Sequence, residues 1–367
     1  MKRLLSITLL TGLALGCAAG KRYAAPVGAA WERTLSRHEI DPGIVENPLE
    51  PHATIDEAAR EMAGRKTPAE QLTRIQEGLF ALGGPAFEYD ATQTLTARQA
   101  LERRAGNCMS FTSLFIAMGR SLGYRLQAAL PRATPRSEKT DDLIVVNTHV
   151  VAVYLHAGGA TIYDFSRARS GAPTSVDIID DLQLTALFLN NRGVQSLRSA
   201  DLHDAVTRLD AATRLWPEFA GAWGNLAVAK RRMGDRAGAL RAYDRALDAD
   251  PGNPTVLANL AALYQQLDLH AQATTALNAS RVLTAAPDVL LVQGDLQAQL
   301  GELGTALKLY RRAHGLDPVR VAPLIRIART ELQRGHTARA RRAALRASQL
   351  SPESPEVARI LERIRLE

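Results

Sequence analysis

Cysteine is scarce: Cys17 and Cys108 are the only two in 367 residues, so at most one intramolecular disulfide could form. Long apolar runs are missing too. Leu4–Leu15 spans 12 residues, against the ~20 that a membrane-crossing helix needs. There is no glycine-rich phosphate loop and no His/Cys cluster at metal spacing, so neither a cofactor nor a metal is expected. Aromatic residues make up 5%, and no basic stretch is interleaved with them, which argues against nucleic acid as a partner despite a net charge of +7. That charge is uneven. Residues 1–185 carry 20 Lys/Arg against 20 Asp/Glu, whereas residues 186–367 carry 25 against 18. Apolar content of 46% is ordinary for folded material, and the length suits two domains.

Lys2-Arg3 followed by Leu4–Leu15 reads as an export signal. It ends in Ala14-Leu15-Gly16-Cys17, which resembles a bacterial lipobox with Ala14 in place of the usual leucine. The resemblance implies a signal over 1–17, lipid on Cys17, and attachment to the cell envelope by that lipid alone. Ala18 after the cysteine implies the outer membrane, facing the periplasm. The alternative is an ordinary signal cleaved near Ala18 or Ala19. With Cys17 lipidated, Cys108 is a solitary thiol in an oxidising compartment, where cysteines usually come in pairs. Such a thiol is a liability unless its reactivity is wanted.

Cys108 stands where the Gly106-Asn107 turn meets an apolar run of helical period, with Phe111, Leu114, Phe115 and Met118 on one face. The first N–H groups of a helix are unpaired, and the positive end of the helix dipole favours a thiolate. Those N–H groups can also serve as half of an oxyanion hole. Downstream, the apolar stretch Leu143–Leu155 reads as a strand holding His149. After the His156–Gly159 turn a second strand, Thr161–Phe165, holds Asp164. With a four-residue loop, Leu155 would pair with Ala160 and Asp164 would lie opposite Val151. His149 and Asp164 would then be diagonal neighbours on one face, and a slip of one residue would separate them. Asp141, Asp142 and Asp177 are nearby alternatives to Asp164, and Asn107 is a candidate side-chain oxyanion donor.

Helix-borne Cys, strand-borne His, then Asp on the neighbouring strand is the order of the transglutaminase-like superfamily, which this segment resembles. The resemblance implies an α+β, papain-like domain over 54–181 with Cys108 as nucleophile, His149 as base and Asp164 orienting the imidazole. It also implies action on an amide bond of a peptide or protein through a thioester, resolved by water or by an amine. A non-catalytic scaffold built on the same fold is the alternative.

Ala18–Ala53, with Pro26, Pro42, Pro48 and Pro51, reads as a tether in which Ala29–Arg37 could form a short helix. Thr54 with Glu57, and Thr67 with Glu70, carry helix-start signatures, and Gly83-Gly84-Pro85 a stop. Thr96–Arg104 reads as a helix, Tyr124–Leu130 as a strand, and Pro131–Asp142 as a polar loop that could act as a lid.

From Ala186 the composition turns to Ala, Leu and Arg, with an internal period. Pro217 and Pro251 are 34 apart, as are Pro318 and Pro352, and 67 residues separate Pro251 from Pro318. Small residues recur at Ala205/Ala212, Ala239/Ala246, Ala306/Ala313 and Ala340/Ala347, where paired helices must approach. The pattern closely resembles the tetratricopeptide repeat. It implies an all-α solenoid of five copies over 186–352, the third degenerate at Ser280 and Pro287, with a capping helix over 355–367. Such repeats imply a protein partner. Asn191, Asn225 and Asn259, 34 residues apart, are candidates to line a peptide-binding groove. Residues 311–346 hold ten arginines against Asp317 and Glu331, a basic end that could take an acidic peptide, lipid head groups or cell-wall anions.

Overall fold

The computed structural model describes residues 28–80, 87–131, 136–140, 143–147, 149–165, 175–282 and 287–366. It divides into two compact units, one made of the chain up to residue 136 together with 147–229, the other of 137–146 together with 230 onward. Cys17, the lipobox and Gly83-Gly84-Pro85 lie outside the described residues.

In the first unit, helix α1 (Ala29–Arg37) leads to α2 (Ala53–Ala63) and α3 (Pro68–Phe80). The cap of α2 is His52, whose ring accepts the Thr54 N–H, so the expected Thr54 cap is displaced by two residues. Strand β1 (Glu88–Tyr89), helix α4 (Ala97–Arg103) and strand β2 (Ala105–Gly106) then bring the chain to α5 (Cys108–Ser121). The start of α4 is held by a reciprocal Thr96–Gln99 capping box. α5 is apolar nearly all round, and its residues Met109 through Met118 are buried. A helix of that kind belongs in the middle of a core. Phe111, Leu114, Phe115 and Met118 pack there against Leu72, Ile75 and Leu79 of α3 and against sheet residues including Ala152 and Tyr163.

The sheet has four antiparallel strands in the order β7-β6-β3-β8, with β3 Leu126–Pro131, β6 Val151–His156, β7 Gly159–Tyr163 and β8 Val176–Ile179. Gly119 lets α5 settle on this sheet, since a Cβ there would fall 1.9 Å from Leu126 Cδ1. The apolar stretch expected as one strand is two: β5 (Leu143–Asn147) pairs with β4 (Arg136–Thr140), and β6 begins only at Val151. Part of the expected Pro131–Asp142 loop is therefore strand β4. Alternation of apolar residues marks extended chain but does not say which neighbour each half pairs with.

Helix α6 (Asp181–Arg198) starts five residues before the expected Ala186, at an Asp180–Gln183 capping box. α7 (Leu202–Leu215) pairs with it. α6 has two faces at work: Leu184, Leu187 and Phe188 enter the core around α5, while Ala186 and Leu189 join Ala211, Ala212 and Leu215 of α7. Trp31, Leu35, Ile40 and Val45 complete this second cluster. From residue 28 the stretch expected as a tether is thus folded onto the first helical pair.

Helices α8 (Ala220–Arg232) and α9 (Arg236–Ala249) follow in the chain, and the second unit then pairs α10 (Pro254–Gln266) with α11 (His270–Val282), α12 (Pro287–Gln299) with α13 (Leu303–Leu316), and α14 (Val321–Gln333) with α15 (Thr337–Leu350). All eight recurring alanines are 0% exposed, as close helix approach requires. α16 (Pro355–Leu366) closes the second unit by burying Val357, Ile360 and Ile364, with Leu361 half-buried. Pro287 opens α12, as Pro254 opens α10.

Candidate active site

The position of Cys108 is built by the turn before it. Arg104 adopts a left-handed conformation (φ 50°) and Gly106 a φ of 151°. A Cβ at Gly106 would also fall 2.5 Å from Ser110 Cβ, so that position is closed to any other residue. Asn107 caps α5: its Oδ1 accepts the Ser110 N–H at 3.1 Å and its Nδ2 donates to Thr94 Oγ1 at 2.7 Å. Ser110 Oγ accepts the Leu95 N–H at 2.8 Å. Thr94, Asn107 and Ser110 are all buried. From α6, Arg192 Nη1 donates to the Thr94 carbonyl at 3.2 Å and Gln195 to that of Thr92. The first helix of the repeat array therefore holds the loop that holds the cap. With its amide engaged in the cap and with Thr94, Asn107 is a structural residue here.

Cys108 is partly exposed at the first position of α5. The backbone N–H groups of Cys108 and Met109 take no acceptor among the described residues, as expected of a helix's leading turn. His149 lies between β5 and β6, just before the ladder, not within a strand. Its Nε2 is 2.9 Å from Asp164 Oδ1, with the two side chains 21% and 23% exposed. The ring N–H points off the line joining the two atoms, so this is an ion-pair contact more than a linear hydrogen bond. Burial works against a charged imidazole, but its close contacts with Asp164 and Cys108, with the charges of both, outweigh it and push the His149 pKa up to about 9.

Register explains the meeting. β6 and β7 pair Leu155 with Ala160 and Ala152 with Tyr163, so Val151 and Asp164 stand one step past the ladder's end, beside His149. Two further hydrogen bonds fix that end of the hairpin: Thr112, one turn along α5 from Cys108, donates to the Val150 carbonyl at 3.3 Å, and Gln76 to the Asp164 carbonyl at 3.5 Å. Asp177 sits on β8, two strands from β6, opposite Leu130. Asp141 and Asp142 lie outside the described residues. Thr94, Ser110 and Thr112 carried one legible signal, the Asn-x-x-Ser spacing of a helix start at Asn107.

The expected groove asparagines are elsewhere. Asn225 and Asn259 are each 1% exposed and Asn191 9%. Asn225 Nδ2 donates to Asn190 Oδ1 at 2.8 Å, between α8 and α6. An amide buried between helices cannot bracket a bound peptide. The groove of the second unit is lined instead by Gln266, Gln299 and Gln333, the last residues of α10, α12 and α14. Their spacings of 33 and 34 were present in the sequence.

Comparison with known proteins agrees with this architecture. The transglutaminase-like superfamily matches residues 56–160, and tetratricopeptide repeat families match 196–254 and 230–296. Cellulose synthase 1 operon protein C of Komagataeibacter xylinus is 26% identical over 165 residues, 41% of this chain and 12% of that protein. Tetratricopeptide repeat protein 36 of Mus musculus is 39% identical over 64 residues, 17% of this chain and 34% of that protein. The chain thus spans only 12% and 34% of the lengths of these two curated relatives. Among solved structures, pilF of Pseudomonas aeruginosa (17% identity, TM-score 0.43) covers 51% of this chain, which in turn covers 84% of it. The pilus biogenesis factor PilW (16% identity, TM-score 0.42) covers 49%, with 87% of its own length matched. The chain carries a transglutaminase-like domain followed by tetratricopeptide repeats.

Proposed function

We propose that the protein is a thiol enzyme acting on amide bonds of a peptide or protein, tethered to the bacterial envelope by lipid on Cys17, probed most directly at Cys108. The observation that carries this reading is the imidazole of His149 held between Cys108 and Asp164, 2.9 Å from the carboxylate. The sulfur attacks the carbonyl carbon with its proton already resting on the His149 imidazole, which is charged at neutral pH. The oxygen of the tetrahedral adduct becomes negative at the leading turn of α5, where the Cys108 N–H can donate to it. Collapse breaks the C–N bond, the leaving amine takes the proton back from His149, and a thioester remains on the sulfur. Water resolves it to an acid, or a primary amine to a new amide. Asp164 keeps the ring oriented and supports its positive form. The repeats recruit the protein that is acted on, or its complex.

Iodoacetamide labelling of the full chain tests the site. Cys108 is expected to react more than tenfold faster than a model thiol at pH 7, and His149→Ala to remove that advantage. Slow labelling that ignores His149 would leave a protein-binding scaffold instead. A labelled primary amine offered together with envelope proteins separates transfer from hydrolysis. Incorporation of labelled palmitate, lost in Cys17→Ala, tests the anchor.

A further inference from the structure

The second unit contains a cavity of about 420 Å³ beside another of about 260 Å³, with Arg329 and Gln333 shared between them. The first is in the size range of ligand sites. Three features set its chemistry. Its apolar floor is made by Ala262, Val292 and Leu296. One edge carries the exposed amides of Gln266, Gln299 and Gln333, which occupy the same place on three successive first helices. Its charge is positive: Arg231, Arg326, Arg329, Arg359 and Arg363 line the two cavities against Asp295 and Glu356, five against two, a net +3.

Both acids are engaged. Asp295 Oδ1 accepts from Arg326 Nε at 2.7 Å and from Tyr310 Oη at 2.9 Å, and Glu356 lies 2.8 Å from Arg329. The carboxylates thus anchor arginines in place without cancelling the positive field.

We propose that this surface binds an acidic peptide segment in extended form, deepening the reading of the repeats as the recruiting part of the molecule. Packed helices stand about 8–10 Å apart, and an extended chain advances about 3.3 Å per residue. One glutamine therefore meets the peptide about every third residue. An amide offers both a donor and an acceptor, which suits a backbone of any sequence. The arginines supply the selection: their guanidinium groups recognise carboxylates through paired N–H donors. Position along the groove comes from the amides and acidity from the arginines.

The test uses the full chain carrying Cys108→Ala, so that nothing is turned over, with fluorescein-labelled hexa-glutamate followed by anisotropy. Hexa-serine and hexa-lysine peptides and phosphatidylglycerol vesicles serve as comparisons. Hexa-glutamate is expected to bind, more weakly as salt is raised. The pair R329Q/R359Q should weaken it at least tenfold, and Q299A/Q333A about threefold. The charge-reversed pair R329E/R359E should lose hexa-glutamate and gain hexa-lysine, a gain that misfolding cannot produce. Failure of hexa-glutamate to bind, equal binding of hexa-serine, indifference to R329Q/R359Q, or binding of the vesicles in its place would each overturn the proposal. Alkylation of Cys108 in the unsubstituted chain reports on the thiol reading separately, so either can fail alone.

Discussion

Cys108 and Gln299 show two ways of placing a polar side chain. Cys108 is set by parts that occur once: a glycine no other residue can replace, an asparagine cap, a threonine behind the cap and an arginine behind the threonine. Gln299 is set by repetition, being one of three glutamines at the ends of equivalent helices whose backbones approach through buried alanines. In the first case each contact is necessary and none has a substitute. In the second, loss of one position leaves the others in register. Damage should therefore be abrupt at the thiol turn and graded in the repeats.

Glycine substitutions should test that contrast with the largest effect. At Gly106 an added Cβ meets Ser110 at 2.5 Å and the backbone is left-handed. Gly106→Ala is expected to cost about 2–4 kcal/mol and to abolish rapid labelling of Cys108. Gly315, inside α13, has nothing within 4 Å of the corresponding point and no positive φ. Gly315→Ala should stabilise by up to about 1 kcal/mol, the difference in helix propensity. Urea melts of both variants check the pair. Equal destabilisation would remove the contrast.

Titration separates the regions next. His149 has a higher pKa folded, about 9, than unfolded, about 6.5. Its contribution is full below pH 6.5 and is lost as pH rises through 9, an amount on the order of 3 kcal/mol. Melts between pH 6 and 10 should show that decline in the unsubstituted chain and much less of it in His149→Ala. If the slope survives the substitution, the ring is not held by the sulfur and the carboxylate.

What the sequence made legible follows the same division. The helix carrying Cys108, the Leu155–Ala160 register and the repeat period all rest on local spacing, and spacing survives without tertiary knowledge. The division of the apolar stretch into β5 and β6 was not legible, because β5 pairs with β4 and an apolar run is silent about its partner. Nor was the facing of the repeats: Asn225 and Gln266 lie on equally periodic ladders, yet one is sealed between helices and the other lines the groove. Trp31 and Leu35, four residues apart among prolines, gave too short a pattern to reveal that the stretch folds back onto α7.

A several-fold effect is expected where the structure bears on why the two parts share a chain. Arg192 of α6 reaches the Thr94 carbonyl, and the Thr94 hydroxyl accepts from Asn107, which caps the helix of Cys108. Thr94→Val keeps the shape but removes the acceptor, leaving a buried amide donor short of a partner at about 1–3 kcal/mol. Labelling of Cys108 should slow several-fold, with its pH profile altered, and Thr94→Ser should restore both. Arg192→Met pulls on the same loop from the other side and should produce a similar, milder slowing. Its effect and that of Thr94→Val should be less than additive, since both act through one cap. Were the two strictly additive, α6 would support the fold without steering the sulfur, and the repeats could be regarded as attached to the thiol domain without taking part in its geometry.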